Sequence, residues 1–238
     1  MHSRPILVVQ HQATCPPGWL GESMTEAGAT LDVRSPYAGQ QLPEDLTGHG
    51  ALVVLGGSMG ANDDASVPWL APTKALVREA ATHGIPMLGI CLGHQLAAVA
   101  LGGVVEVNSA GPQTGVLELG WLPDAAGDTL LAGCASRAVQ WNGDIVTELP
   151  SGSTVLARAA TGELQAARLA PTVWGVQWHP EAGADLVRTW ADEDRAAAPA
   201  RASEIDERVW DVERAGRQLW QDWHPLGARF AALRHRGT

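Results

Sequence analysis

Cysteine is scarce: three in 238 residues, at Cys15, Cys91 and Cys134, too few and too far apart for a disulfide framework or a close-set zinc motif. A reducing cytoplasm is the expected setting. No apolar run approaches the length that crosses a bilayer, and the opening MHSRPILVVQHQ holds too short an apolar run for a secretory signal, so no membrane partner is expected. Basic charge is short as well. The formal net charge is -10, with the excess of acid in residues 1–191, which excludes the electrostatic footprint of a nucleic-acid binder. There is no internal repeat and no extended low-complexity segment. What the chain does have is 45% apolar residues, enough for a full-sized core, and ten tryptophans spread along its length as packing residues.

Three short apolar runs, Ile6 to Val9, Ala51 to Leu55 and Met87 to Cys91, are bounded by Gly, Pro or polar residues, as strands buried on both faces should be. Between the last two lies a stretch with helical spacing, through Leu70, Ala75, Leu76 and Ala80 to a stop at His83-Gly84. Strand alternating with helix predicts an α/β fold with a mostly parallel central sheet flanked by helices. Val104 to Val107, Gly115 to Leu119, Thr154 to Ala159, Gln165 to Leu169 and Val173 to Trp178 read as further strands that complete and edge the same sheet. Residues 1–191 form the expected main domain. In residues 192–238, an apolar stripe from Ile205 to Leu233 traces a helical extension docked on that domain, interrupted at Pro225 and Gly227.

The stretch GICLGHQL, Gly89 to Leu96, sets a cysteine between glycines where a strand gives way to a helical pattern. That is the context of a nucleophile elbow, in which flanking glycines avoid collision with facing backbone and the nucleophile sits in a strained conformation. At a helix N-terminus, unpaired N–H groups and the dipole stabilise negative charge on the Cys91 sulfur. A lone cysteine is more often a buried small hydrophobe. The flanking glycines and the polar His94-Gln95 pair favour the nucleophile. A thiol nucleophile needs a base, and His179-Pro180-Glu181 follows the last apolar run, with His179 and Glu181 expected on one side of an extended segment, the carboxylate orienting the imidazole. Donors for an oxyanion are the N–H of Leu92 and, in the glycine-rich LGGSMGAND that follows a strand, the N–H of Gly57 supported by Gly56. That loop lacks a Walker lysine and the dinucleotide spacing, so it is not read as a phosphate cradle. Cys91, His94, His179 and Glu181 could in principle ligate a metal, but Cys91 and His94 should leave the bend in different directions, and no metal or cofactor is expected.

A Gly-Gly loop after a strand, then GICLGHQ, then GVQWHPE resembles the motif order of the class I, triad-type glutamine amidotransferases over about residues 5–190, with the stand-alone, GMP-synthase-like glutaminase domains the nearest match. The resemblance implies a flavodoxin-like sheet and a substrate of glutamine or another γ-glutamyl compound. It implies that Cys91 attacks the carboxamide, His179 serves as acid and base with Glu181 orienting it, and ammonia passes to a separate synthetase. By the same matching Gln95 contacts substrate, and Ser109, Ala110 and Gly111, in the loop SAGPQTG, line the pocket. Asn142 borders the site where relatives commonly carry His. Two other readings remain: a free-standing γ-glutamyl hydrolase or peptidase, and a catalytically silent glutamine-binding or interaction module.

Overall fold

The computed structural model describes residues 4–234. Its central sheet has eight strands: β1 (Ile6–Val9), β2 (Leu31–Arg34), β3 (Ala51–Val54), β4 (Met87–Ile90), β7 (Gly120–Trp121), β10 (Thr154–Arg158), β11 (Leu164–Ala170) and β12 (Val173–Val176). They run in the order β2-β1-β3-β4-β12-β11-β10-β7. The first five in that order are mutually parallel; β11, β10 and β7 continue antiparallel. Period-two alternation in β1 explains the layers. Ile6 and Val8 belong to one apolar cluster, with Leu20, Trp190, Trp223 and Phe230, and Leu7 and Val9 belong to the other, with Leu70, Leu76 and Leu96. Accordingly α1 (Gly18–Glu26), α4 (Ala184–Ala197) and α5 (Ala202–Leu233) cover one face, and α2 (Leu70–His83) and α3 (Leu92–Ala100) the other. Helix α2 ends where the sequence places its stop, with Gly84 left-handed at φ 65°.

Three expectations are corrected. The strands of the middle segment do not all join the main sheet. β5 (Val104–Val107) pairs only with β9 (Asp144–Glu148), and β6 (Gln113–Glu118) only with β8 (Arg137–Asn142), as two small antiparallel sheets. The central sheet continues on that side through β12, β11 and β10 to β7, so these two small pairs stand beside it, and β8 supplies a wall of the cavity. Pro225 and Gly227 do not interrupt α5, which is continuous from Ala202 to Leu233. A Cβ at Gly227 would lie 2.5 Å from the Leu20 carbonyl oxygen, so the glycine permits close contact with α1. The Ala228 N–H, three residues beyond Pro225, donates to Ser23 Oγ at 3.0 Å. Finally, His179 to Ala182 is not extended. Ala182 N–H donates to the His179 carbonyl at 3.3 Å, closing a turn with Pro180 at its second position, where a fixed φ suits it.

Candidate active site

Cys91 sits between β4 and α3 at φ 50° and ψ -106°, the only non-glycine residue with positive φ among those described. Its glycine neighbours are required by contact. A Cβ at Gly89 would lie 2.4 Å from the Gly93 carbonyl oxygen, and one at Gly93 would lie 2.0 Å from that of Val54. The strained bend is held because Cys91 N–H donates to Val176 O at 2.8 Å, tying the elbow to the end of β12. Three residues later in the chain, His179 N–H donates to Val139 O of β8 at 2.8 Å. The turn brings Glu181 back under the imidazole: Nδ1 and Glu181 Oε1 are 2.7 Å apart, with both side chains almost wholly buried. Glu181 is itself fixed through its carbonyl, which accepts the Trp19 N–H at 3.1 Å across the close approach that Gly18 allows.

His179 Nε2 has no other hydrogen-bond partner. Burial works against a charged imidazole, but the Glu181 carboxylate and the Cys91 sulfur outweigh it and raise His179 from 6.5 to about 10. A Cβ placed on Gly56 would lie 3.1 Å from His179 Cε1 and 3.7 Å from Cys91 Cβ, so the glycine loop rests on both. Gly57 is equally confined, by Met59, Leu92 and His11. Leu92 opens α3, and its N–H therefore has no intrahelical acceptor.

These groups open on a cavity of about 350 Å³. Cys91, His179, Gly57, Gln95 and Asn142 line it; Gly56 and Leu92 do not. Gln95 is committed through Nε2 to Asp144 O at 2.9 Å, with Gln177 Oε1 at 3.4 Å. Asn142 Nδ2 also donates to Asp144 O, at 3.1 Å, leaving its Oδ1 buried without a donor. Ser109 and Ala110 are exposed, and neither they nor Gly111 line the cavity; Pro112 and Thr114 of the same segment do. His94 is brought near Cys91 in sequence only. It is wholly buried under β12, where a Cβ on Gly175 would meet its Nδ1 at 1.9 Å, and burial lowers it to about 3. It therefore acts as neutral packing.

Sequence reasoning missed two parts of the wall. One is Gln12, just past the carboxyl end of β1, and a polar residue at the carboxyl end of a buried parallel strand was the available signal. The other is α4, which runs on across residue 191. The Trp190 ring packs on His179 with centroids 4.6 Å apart, and one turn later Glu193 and Asp194 reach the cavity, Asp194 accepting the Trp141 indole N–H at 2.9 Å. No local signal in the sequence announces this, because it follows from how α4 docks.

The fold and site thus define an α/β protein with a thiol at a strand-to-helix bend, an imidazole–carboxylate pair facing it, and a crevice at the carboxyl ends of the parallel strands. The family model for glutamine amidotransferase class-I matches residues 19–187, and the chain belongs to that family. The glutamine-hydrolyzing GMP synthase subunit of Saccharolobus solfataricus is 33% identical over 157 residues, 65% of this chain and 77% of the relative. The protein of the same description from Methanosarcina barkeri is 43% identical over 101 residues, and there the chain spans about half (51%) of the relative's length. Among solved structures, a glutamine amidotransferase from Methylobacillus flagellatus superposes with a TM-score of 0.85 at 25% identity, over 100% of this chain and 98% of that one. One from Thermotoga maritima gives 0.84 at 24% identity, over 97% and 99%, and shows the likeness of fold. No helix among the described residues is long and apolar enough to cross a membrane.

Proposed function

We propose that the protein is a glutaminase that hydrolyses the glutamine side-chain amide through Cys91 and delivers ammonia to a separate synthetase. The Cys91 thiol gives its proton to His179 Nε2 as Sγ adds to the amide carbon, and the oxyanion that forms is met by the N–H groups of Gly57 and Leu92. His179 Nε2 gives its proton to the amide nitrogen, ammonia leaves, and a γ-glutamyl thioester remains. Water then attacks with His179 as base, releasing glutamate and restoring the thiol. Glu181 holds the imidazole and stabilises its protonated form. The observation that carries this reading is the single imidazole held at 2.7 Å by a buried carboxylate while its other nitrogen is left for the cysteine.

In this reading Asn142 contacts substrate and Gln95 shapes the pocket by holding the start of β9. Residues 1–191 serve as the amidotransferase unit and 192–238 as a helical extension. No cofactor or metal is called for, and the three free cysteines suit a reducing cytoplasm. The synthetase partner is supported by the description of the curated relatives as one subunit of a glutamine-hydrolyzing GMP synthase. The same thioester chemistry would cleave other γ-glutamyl amides, and a 350 Å³ cavity has room for groups larger than a carboxamide. Glutamate release by the purified chain, from glutamine and from γ-glutamyl peptides, decides between these substrates. Cys91→Ala should abolish both activities with the fold intact, and activity that survives this substitution would overturn the assignment.

A further inference from the structure

Two successive glycines, Gly56 and Gly57, join Leu55 to Ser58. With no Cβ to restrict it, such a segment has little intrinsic reason to hold one conformation, so its ends must supply the restraint. At the first end Leu55 N–H donates to Val9 O at 3.0 Å, as an extension of the sheet. At the other, a single atom does the work: Gln12 Oε1 accepts both the Ser58 N–H and the Ser58 hydroxyl, each at 2.9 Å. Because the peptide unit is planar, fixing the Ser58 N–H also fixes the Gly57 carbonyl and with it one of the two soft dihedrals of Gly57. Gln12 is in turn held on both sides. Its backbone carbonyl accepts Gln10 Nε2 at 2.9 Å, and its own Nε2 donates to Thr14 Oγ1 at 2.7 Å. The Thr14 carbonyl accepts the Trp190 indole N–H at 2.7 Å, and the Trp190 ring packs on His179.

We propose that Gln12 is a positioning residue: it clamps Ser58 so that the Gly57 N–H stays aimed at the developing oxyanion, and through Thr14 and Trp190 it registers that donor against His179. This rests on the glutaminase reading, which makes Gly57 an oxyanion donor. Gln12 itself touches no reacting atom. Its effect belongs to the transition state, when charge reaches the carbonyl oxygen, and not to ground-state binding.

The test compares Gln12→Met, which removes the acceptor, with Gln12→Glu, whose carboxylate can still accept from both Ser58 groups. Gln12→Met should lower kcat about 10–100-fold with KM changed less than about threefold, less than the loss expected when a donor is removed outright. Gln12→Glu should recover most of that loss. Two probes separate positioning from general damage. Iodoacetamide alkylates Cys91 by displacement of iodide, a step that builds no oxyanion, and its rate should be the same in wild type and Gln12→Met. Glutaric semialdehyde reacts reversibly: the Sγ–C bond forms, the carbonyl pair moves to oxygen, and that oxygen takes a proton, so its inhibition should weaken in step with kcat. Unchanged kcat in Gln12→Met overturns the proposal, as does a raised KM at constant kcat, which would make Gln12 a substrate contact. Slower alkylation in parallel with kcat also overturns it. Wild-type protein that neither releases glutamate nor forms an adduct with the aldehyde would sink the glutaminase reading, and the positioning role with it.

Discussion

Glu181→Gln isolates charge from shape. The glutamine keeps the size of the side chain and can still accept from His179 Nδ1, now 2.7 Å from Glu181 Oε1, but the negative charge is gone. Burial is then opposed only by the Cys91 sulfur, and an imidazole raised to about 10 in the native protein should fall. Removing one member of a buried, paired charge costs about 3–5 kcal/mol, and removing the carboxylate behind a catalytic base lowers kcat by about 10³–10⁴-fold. The pH dependence gives the sharper check. A group whose native value is raised stabilises the fold fully below its unfolded value, near 6.5, and loses that contribution as pH rises through about 10. The difference in unfolding free energy between wild type and Glu181→Gln, measured by urea denaturation from about pH 6 to pH 10, should therefore shrink steadily toward the alkaline end. A gap that stays constant or widens with pH would refute the argument. So would glutaminase activity in the variant within tenfold of wild type.

Two further substitutions test the scaffold. Gly93→Ala would drive its Cβ to 2.0 Å from the Val54 carbonyl oxygen, a backbone atom that no rotamer change can move. It should destabilise by about 3 kcal/mol or more, whereas Gly127→Ala, with nothing within 4 Å, should be near neutral in the same melts. Trp223→Ala removes a buried ring packed 5.1 Å from Trp178 and an indole N–H that donates to Arg137 O at 2.8 Å. A loss of about 3–5 kcal/mol is expected, and a loss under 1 kcal/mol would mean that α5 is not secured there.

The parallel core was legible because its strands are buried on both faces, and such strands must be continuous apolar runs; ILVV and ALVV admit no other reading once glycines and prolines bound them. LDVR, the edge strand β2, escaped notice because it is only half-buried and needs no such run. The assignment of β5 and β6 to the main sheet, with their partners β8 and β9 not read as strands at all, has a different origin. Alternation fixes which residues face inward but not which strand is the neighbour, and pairing is decided by contacts distant in sequence. The same limit applies at the site. The elbow was readable because its constraint is local, a cysteine flanked by glycines whose missing Cβ atoms prevent collision with nearby backbone. The His-Pro-Glu segment was correct in partners and wrong in shape, since proline suits both an extended chain and the second position of a turn. Trp190 and Asp194 were invisible, because their place over the cavity depends on a helix docking from the far end of the chain.

The bond from Cys91 N–H to Val176 O continues the pairing of β4 with β12, two neighbours at the centre of the sheet. Thiol and imidazole are therefore mounted on a common rigid bench, and their separation drifts only if the most protected strands of the molecule come apart. The Gly57 N–H proposed as an oxyanion donor is mounted differently: it lies on a two-glycine segment tied to Val9 at one end and to Gln12 at the other. In the proposed mechanism the attacking pair is therefore set by the sheet and the oxyanion donor by two side-chain and backbone tethers, so the loop is where a small force would change the geometry most.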